Sequence, residues 1–159
     1  MTLAEIHAQL VANFSDAIVE FKPDAPGTPF IVVSAEYLRD ICLYLRDTPS
    51  LAFENLMCLS GIDNANKTLA VAYHMESVQH RHKCALKVML PVDAPVVASV
   101  TDVWASANWN EREAFDMFGI TFTGHPDMRR ILCPDDWDGY PLRKDYKVQE
   151  YYRGMKVPY

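Results

Sequence analysis

The sequence predicts an α+β fold: a small mixed or antiparallel sheet packed by N-terminal helices, then a further helix and an irregular C-terminal arm. Three observations predict it. Two short segments with apolar residues at helical spacing lie early in the chain, around Ile6 and Ile41. Segments alternating with a period of two follow, most regularly in "KTLAVAYHMESV" and "HKCALKVMLPV". Beyond residue 118 no long periodic segment remains, yet the stretch holds four of the six glycines, four of the ten prolines and five of the eight tyrosines. So many chain breakers preclude another long element, and so many aromatics argue against disorder.

The elements can be justified in order. "TLAE" is a capping box in which Thr2 accepts from the backbone of Glu5 and Glu5 reaches back, so a helix starts at Leu3 with Leu3, Ile6 and Leu10 on one face. "AIVEF" and "FIVV" read as strands on either side of the loop "KPDAPGTP". Ser34 is placed to cap a second helix, "AEYLRDICLYLRD", with Leu38, Ile41 and Leu45 inward and Thr48-Pro49 as the stop. A three-strand meander comes next, from "FENLMCLSGID" through an Asn-rich turn to the two alternating segments. In its middle strand Leu69, Val71, Tyr73 and Met75 share a face, and Ala70, Ala72, His74 and Glu76 share the other. "TDVWASANWNEREAFDMFG" is helical in one or two pieces, with Asn108 and Asn110 as candidate N-caps and Gly119 as a left-handed C-cap. The expected organisation is a body over 1–118, ending in that helix, and a partner-docking arm over 119–159. Structureless connections above ~12–15 residues are uncommon in compact domains and usually functional.

Composition narrows the function. A chain of 159 residues is one domain with a real core. A net charge of −6 weighs against nucleic acid and anionic lipid as partners. No apolar run approaches the ~20 residues of a membrane span. "MTLAEIHAQL" lacks the flank and apolar block of a signal peptide, so the chain is expected to stay in the reducing compartment where it is made. Cys42, Cys58, Cys84 and Cys133 have neither zinc-ribbon nor iron–sulfur spacing and are expected to be buried thiols. There is no Gly-x-Ser-x-Gly elbow, dinucleotide fingerprint or P-loop.

Candidate chemistry lies in two places. His80, His82 and Cys84 alternate along a strand and are metal-ligand types, but the first and last would lie ~13 Å apart as a ligand row, and ordinary strand residues are the expected reading. The second place is rich in carboxylates: Glu111, Glu113, Asp116, Asp127, Asp135, Asp136 and Asp138. A stand-alone hydrolase would use Glu113 or Asp116 with His125. Against it, arginines lie close to most of these acids, with Arg112 and Asp116 spaced as an i,i+4 helical pair, and such pairing keeps carboxylates ionised. On this helix Glu111, Phe115 and Phe118 form one stripe. His125-Pro126-Asp127 turns the chain and aims Arg129 and Arg130 at carboxylates.

The order of these residues resembles a known family. "EREAFDMFGITFTGHPDMRRIL" and "DDWDGYPLRKDY" are similar to the signature region of the C subunit of respiratory complex I, the proton-translocating NADH–quinone oxidoreductase. Glu111, Arg112, Glu113, Asp116, Phe118, Gly119, His125, Pro126, Asp127, Arg129 and Arg130 match in the first block. Trp137, Gly139, Pro141, Leu142, Arg143, Lys144, Asp145 and Tyr146 match in the second. The α+β layout and the strand end "LSGID" agree as well. The resemblance implies a protein with no cofactor, metal or catalytic residue of its own, supporting electron transfer from NADH to quinone. Its implied partners are the hydrogenase-like D subunit, which helps form the quinone pocket, and iron–sulfur subunits of the peripheral arm. FMN, the iron–sulfur clusters and NADH would belong to other subunits. The implied place is peripheral, on the cytoplasmic face of the cell inner membrane. A related complex fed by a ferredoxin-type donor is the alternative. The chain is expected to be unfused to a D subunit, and an arm that stops soon after the signature is expected to make fewer partner contacts. Arg130 is expected to matter more for assembly than for the fold.

Overall fold

A computed structural model describes residues 1–157; the arm's final 158 and 159 lie outside the described residues. Helix α1 spans Leu3–Asn13 and opens with the capping box, Thr2 N–H donating to Glu5 Oε2 at 2.7 Å and Glu5 N–H donating to Thr2 Oγ1 at 3.3 Å. Strands β1 (Ile18–Lys22) and β2 (Phe30–Val33) form an antiparallel pair around the Pro/Gly loop. Helix α2 covers Leu38–Asp47 and buries Leu38, Ile41, Cys42 and Leu45. Ser34 does not cap it: its side chain makes no cap bond, because a single 3₁₀ turn over Ala35–Tyr37 separates it from the helix.

The meander forms strands β3 (Asn55–Asp63), β4 (Thr68–Ser77) and β5 (His82–Pro91). The five-stranded sheet runs β1-β2-β5-β4-β3, with β2 parallel to β5 and every other pair antiparallel, so the sheet is mixed. Leu69, Val71, Tyr73 and Met75 are fully buried on one face of β4 and join Ile31, Val33, Leu86, Val88, Ile6, Leu10 and the inward residues of α2 in one core. Among the thiols, Cys42 and Cys84 belong to that core, Cys133 is half-buried, and Cys58 is exposed on β3 rather than buried.

After the sheet comes a compact β-α-β unit. Strand β6 (Val96–Ala98) and strand β7 (Thr121–Thr123) pair in parallel, and helix α3 (Ala107–Phe118) connects them and lies along β3. Asn108 and Asn110 are not N-caps. The helix begins earlier, because the turn before it is anchored by Trp104, 4% exposed, whose Nε1–H donates to the Phe53 carbonyl at 2.8 Å. Both asparagines therefore fall inside the first turn and a half. Gly119 ends the helix at φ +76° as the left-handed cap. Ile120 and Phe122 are core residues, so the packed body runs through β7 and the irregular stretch starts at Gly124 rather than Gly119. A small hairpin, β8 (Tyr151–Tyr152) with β9 (Met155–Lys156), lies near the end of that stretch.

Candidate functional site

Helix α3 presents different chemistry on each side. Its buried residues are Ala107, Glu111, Ala114, Asp116 and Met117, so two carboxylates face inward, and of the Glu111-Phe115-Phe118 stripe Phe118 packs against the core while Phe115 does not. Phe115 is half-buried and meets the Tyr140 ring edge-on at 6.3 Å. Phe118 covers Gly61 of β3, where a Cβ would stand 2.5 Å from the ring. That close approach is how the helix end sits down on the strand. Glu111 ties the helix to the segment after β6, accepting from Ser99 Oγ at 2.7 Å and from Val100 N–H at 2.8 Å. Burial pushes its carboxyl up to about 7, outweighing the Val100 amide and the Ser99 hydroxyl, which favour the ionised form. Arginine pairing thus holds for Asp116 and Asp127 but fails for Glu111.

Asp116 is the hub of the arm. Oδ2 accepts from three consecutive amides, Ile131, Leu132 and Cys133, at 3.0, 2.7 and 2.8 Å, and Oδ1 accepts from Arg130 Nη1 at 2.6 Å. Burial raises its pKa, but the Cys133 amide, Arg130 and the other two amides outweigh that and hold the carboxyl below its usual range. The expected Arg112–Asp116 pair does not form. Arg112 reaches forward instead, donating from Nε to the Arg129 carbonyl at 3.1 Å and from Nη2 to the Arg130 carbonyl at 3.0 Å. Arg130 also donates from Nη2 to the carbonyls of Trp137 and Gly139, both at 3.0 Å, and lies over the Tyr140 ring. With its side chain 14% exposed against an Asp116 that is 0% exposed, Arg130 points inward and organises the fold. Whatever its part in assembly, Arg130 has a role in the fold, because its planar fork crosslinks three pieces of backbone.

The remaining signature residues continue this stitching. His125 bridges its nitrogens between the Asn108 carbonyl (Nε2, 3.1 Å) and the Asp127 amide (Nδ1, 3.0 Å), so the His-Pro-Asp turn with Pro126 is fastened to α3. Arg129 pairs with Asp127, as aimed. Leu142 N–H donates to the Met117 carbonyl at 3.1 Å. Lys144 N–H donates to Asp63 Oδ2 at 2.8 Å, a bond that heads the causes of Asp63's lowered pKa. Arg143 pairs bidentately with Asp145, and the Tyr146 ring closes over Gly139. Trp137 stacks at a tilt on Tyr152 at 5.1 Å, while Asp136 takes Tyr152 and Arg153. Pro141 is half-buried. Sequence reasoning missed Tyr140, which serves both Gly119 and Arg130; its place between Gly139 and Pro141 was the available signal. It also missed the exposed aromatic Trp109.

What this stretch leaves outside is apolar. Leu132, Leu142, Val148, Tyr151 and Met155 are each more than half exposed. Glu113 is exposed and makes no ion pair among the described residues. The hydrolase reading fails on this geometry. Asp116 is sealed from solvent and held ionised, and both nitrogens of His125 are occupied by backbone, so neither is free among the described residues to act as an acid–base partner of Glu113. The other candidate is ordinary strand chemistry: His82 is 6% exposed with Nε2 on the Leu51 carbonyl at 2.7 Å, His80 lies in the turn with Nε2 on the Pro49 carbonyl, and Cys84 is buried with its thiol pushed up to about 12 by desolvation. Among the described residues no group of three or more His, Cys, Asp or Glu side chains is arranged to hold a metal ion, and no helix is long and apolar enough to cross a membrane.

Comparison with known proteins gives consistent matches. The family model described as "Respiratory-chain NADH dehydrogenase, 30 Kd subunit" matches residues 31–152. The chain is 49% identical to the C subunit of the NADH-quinone oxidoreductase of Chloroherpeton thalassium, covering 92% of this chain and 62% of that one. It is also 49% identical to the C subunit from Chlorobium phaeobacteroides, covering 92% of this chain and 90% of the relative. It thus spans less than two thirds of the first relative's length and most of the second's. Among solved structures, a trypsin-resistant fragment (1-134) of Nqo5 superposes with a TM-score of 0.67 at 26% identity, over 80% of this chain and 99% of the fragment. A chain of the membrane-bound sulfane sulfur reductase, an archaeal respiratory membrane complex, shares the fold at a TM-score of 0.72 and 24% identity, over 91% of this chain and 85% of that one.

Proposed function

Since the chain belongs to the family of the 30 kDa subunit of respiratory-chain NADH dehydrogenase, we propose that it is a cofactor-free assembly subunit of a proton-translocating NADH–quinone oxidoreductase. It holds a hydrogenase-like D subunit at the quinone site and the neighbouring iron–sulfur subunits in register. Flavin, clusters and NADH are handled by those other chains, and the protein reaches the cytoplasmic face of the inner membrane only through the complex. The observation that carries this reading is how the arm is built. The polar signature residues are spent on fixing the arm to α3 and β3, whereas Leu132, Leu142, Val148, Tyr151 and Met155 are left facing solvent. Aromatic side chains and methionine, the types of Tyr151 and Met155, are enriched at protein interfaces, and exposed aliphatic residues extend the apolar surface they offer. The names of both relatives carry NADH and quinone, which favours NADH over a ferredoxin-type donor.

Purification of the full chain through an affinity tag, from membranes dissolved in mild detergent, tests the proposal. FMN, iron–sulfur clusters and NADH–quinone reductase activity are expected to co-elute with it. Recovery of the chain alone, with the reductase activity left behind, would refute the reading.

A further inference from the structure

We propose that the groove between the start of α3 and the Ile131–Leu132 strap receives a segment of another subunit. In that segment an apolar side chain seats between Trp109 and Leu132, and an adjacent arginine or lysine pairs with Glu113. The inference rests on the assembly reading and deepens it, naming the chemistry of the segment that is held.

The groove has a volume of about 720 Å³ and is walled by Ser106, Trp109, Asn110 and Glu113 on one side and by Ile131 and Leu132 on the other. Trp109 is 69% exposed and Leu132 63%, in a region whose other large rings are tucked away. Tryptophan presents a large, stiff apolar surface and is over-represented among the residues that dominate binding energy. The walls are already set. The strap is held to the helix by the three amides on Asp116 Oδ2, and Arg112 clamps the two carbonyls just before it. A groove that need not be ordered on binding loses little affinity to conformational entropy.

Charge then selects the occupant. Glu113 is the only lining residue with a formal charge, and it has no cationic partner among the described residues, although three arginines lie nearby. Each of those is already committed: Arg112 to backbone carbonyls, Arg129 to Asp127, Arg130 to Asp116. The chain as a whole is acidic, with a net charge of −6, so a basic segment is attracted before contact and an acidic one is repelled. Glu113 and Asn110 also border a second groove of about 280 Å³ lined by Cys58, Ser60 and Leu142. A bound cation at Glu113 would therefore lie where the two grooves meet.

The test uses the intact complex. A photo-crosslinking phenylalanine analogue replaces Trp109 in the tagged full-length chain, the membranes are illuminated, and the attached peptide is sequenced. The expected product is a single peptide of another subunit of the same complex, with an apolar residue next to an arginine or lysine. Glu113→Lys should cut the amount of complex retained by the tagged chain roughly tenfold, and placing a glutamate at the partner's basic position should restore it. Because Trp109 and Glu113 are exposed, neither change should move the thermal midpoint of the purified chain, which separates docking from folding. Attachment to a second copy of this chain, to lipid, to a peptide without a basic residue, or to nothing while the complex remains whole would overturn the inference and leave the assembly reading standing. Failure of the unaltered tagged chain to bring down any complex would overturn both.

Discussion

Glu111 and Asp116 lie five positions apart on one helix, both sealed from solvent, and they titrate in opposite directions. Asp116 has a guanidinium and three amides; Glu111 has one hydroxyl and one amide, and the groups set around it are Asp102, the Cys42 thiol of α2 and the Tyr73 phenol of β4, none of them cationic. The folded protein therefore binds the Glu111 proton more tightly than the unfolded chain does. Its contribution to stability is full below the ordinary value of 4.5 and is lost as pH rises toward about 7. Integrated over that window the loss is about 3 kcal/mol. Denaturant titrations of the purified chain should accordingly show stability falling across that same interval, and Glu111→Gln should flatten the slope. An undiminished slope in the variant would show that another group is responsible. Nothing in the local sequence announces this contrast, since Glu111 and Asp116 stand in similar company along the chain. What separates them is which distant backbone arrives beside each.

Helix α3 and the strap that follows show where sequence reasoning succeeds and where it stops. The meander was legible because Leu69, Val71, Tyr73 and Met75 alternate strictly, and period two along a strand survives any tertiary context. The left-handed end at Gly119 was legible for a similarly local reason, since only glycine takes that φ without strain. The aim of Arg129 and Arg130 at carboxylates was readable from the turn before them. The partner of Asp116 was not: helical spacing offered Arg112, but Asp116 faces inward and its partner comes from 14 residues further on. The start of the helix was misplaced for the same reason, as the contact between Trp104 and Phe53 joins residues 51 positions apart. The strap's dependence on Arg130 can be measured directly. Arg130→Ala leaves Asp116 buried with its amides but without its cation, at a cost of about 3 kcal/mol. Amide hydrogen exchange at Ile131, Leu132 and Cys133 should quicken roughly a hundredfold, while the amides of β4 and β5 keep their protection. Arg130→Lys should recover only part of this, because an ammonium cannot reach Asp116 and the two carbonyls together. Equal loss across the sheet would mean that the strap and the core unfold as one unit.

At the scale of the whole molecule, two regions built in unlike ways share one chain. The fully buried core ends at Phe122. Among the described residues, the segment beyond adds only Met128 to its edge and is held mostly by hydrogen bonds, ion pairs and scattered rings. It leaves Leu132, Leu142, Val148, Tyr151 and Met155 in solvent. Limited trypsin digestion of the isolated chain should therefore cut first after Lys144, Lys147 and Arg153, sparing the sheet, and those cuts should slow at least tenfold when the chain is bound in its complex. Early cleavage within β3–β5 would contradict this division. The sheet order has a separate consequence for synthesis. Strand β2 finds its inner neighbour only in β5, about 50 residues later in the chain, and ribosomes add roughly 5–20 residues per second. For some seconds of every translation, the first hairpin must wait with a bare hydrogen-bonding edge. In that interval the nascent polypeptide is most open to capture by chaperones or to pairing with the wrong strand.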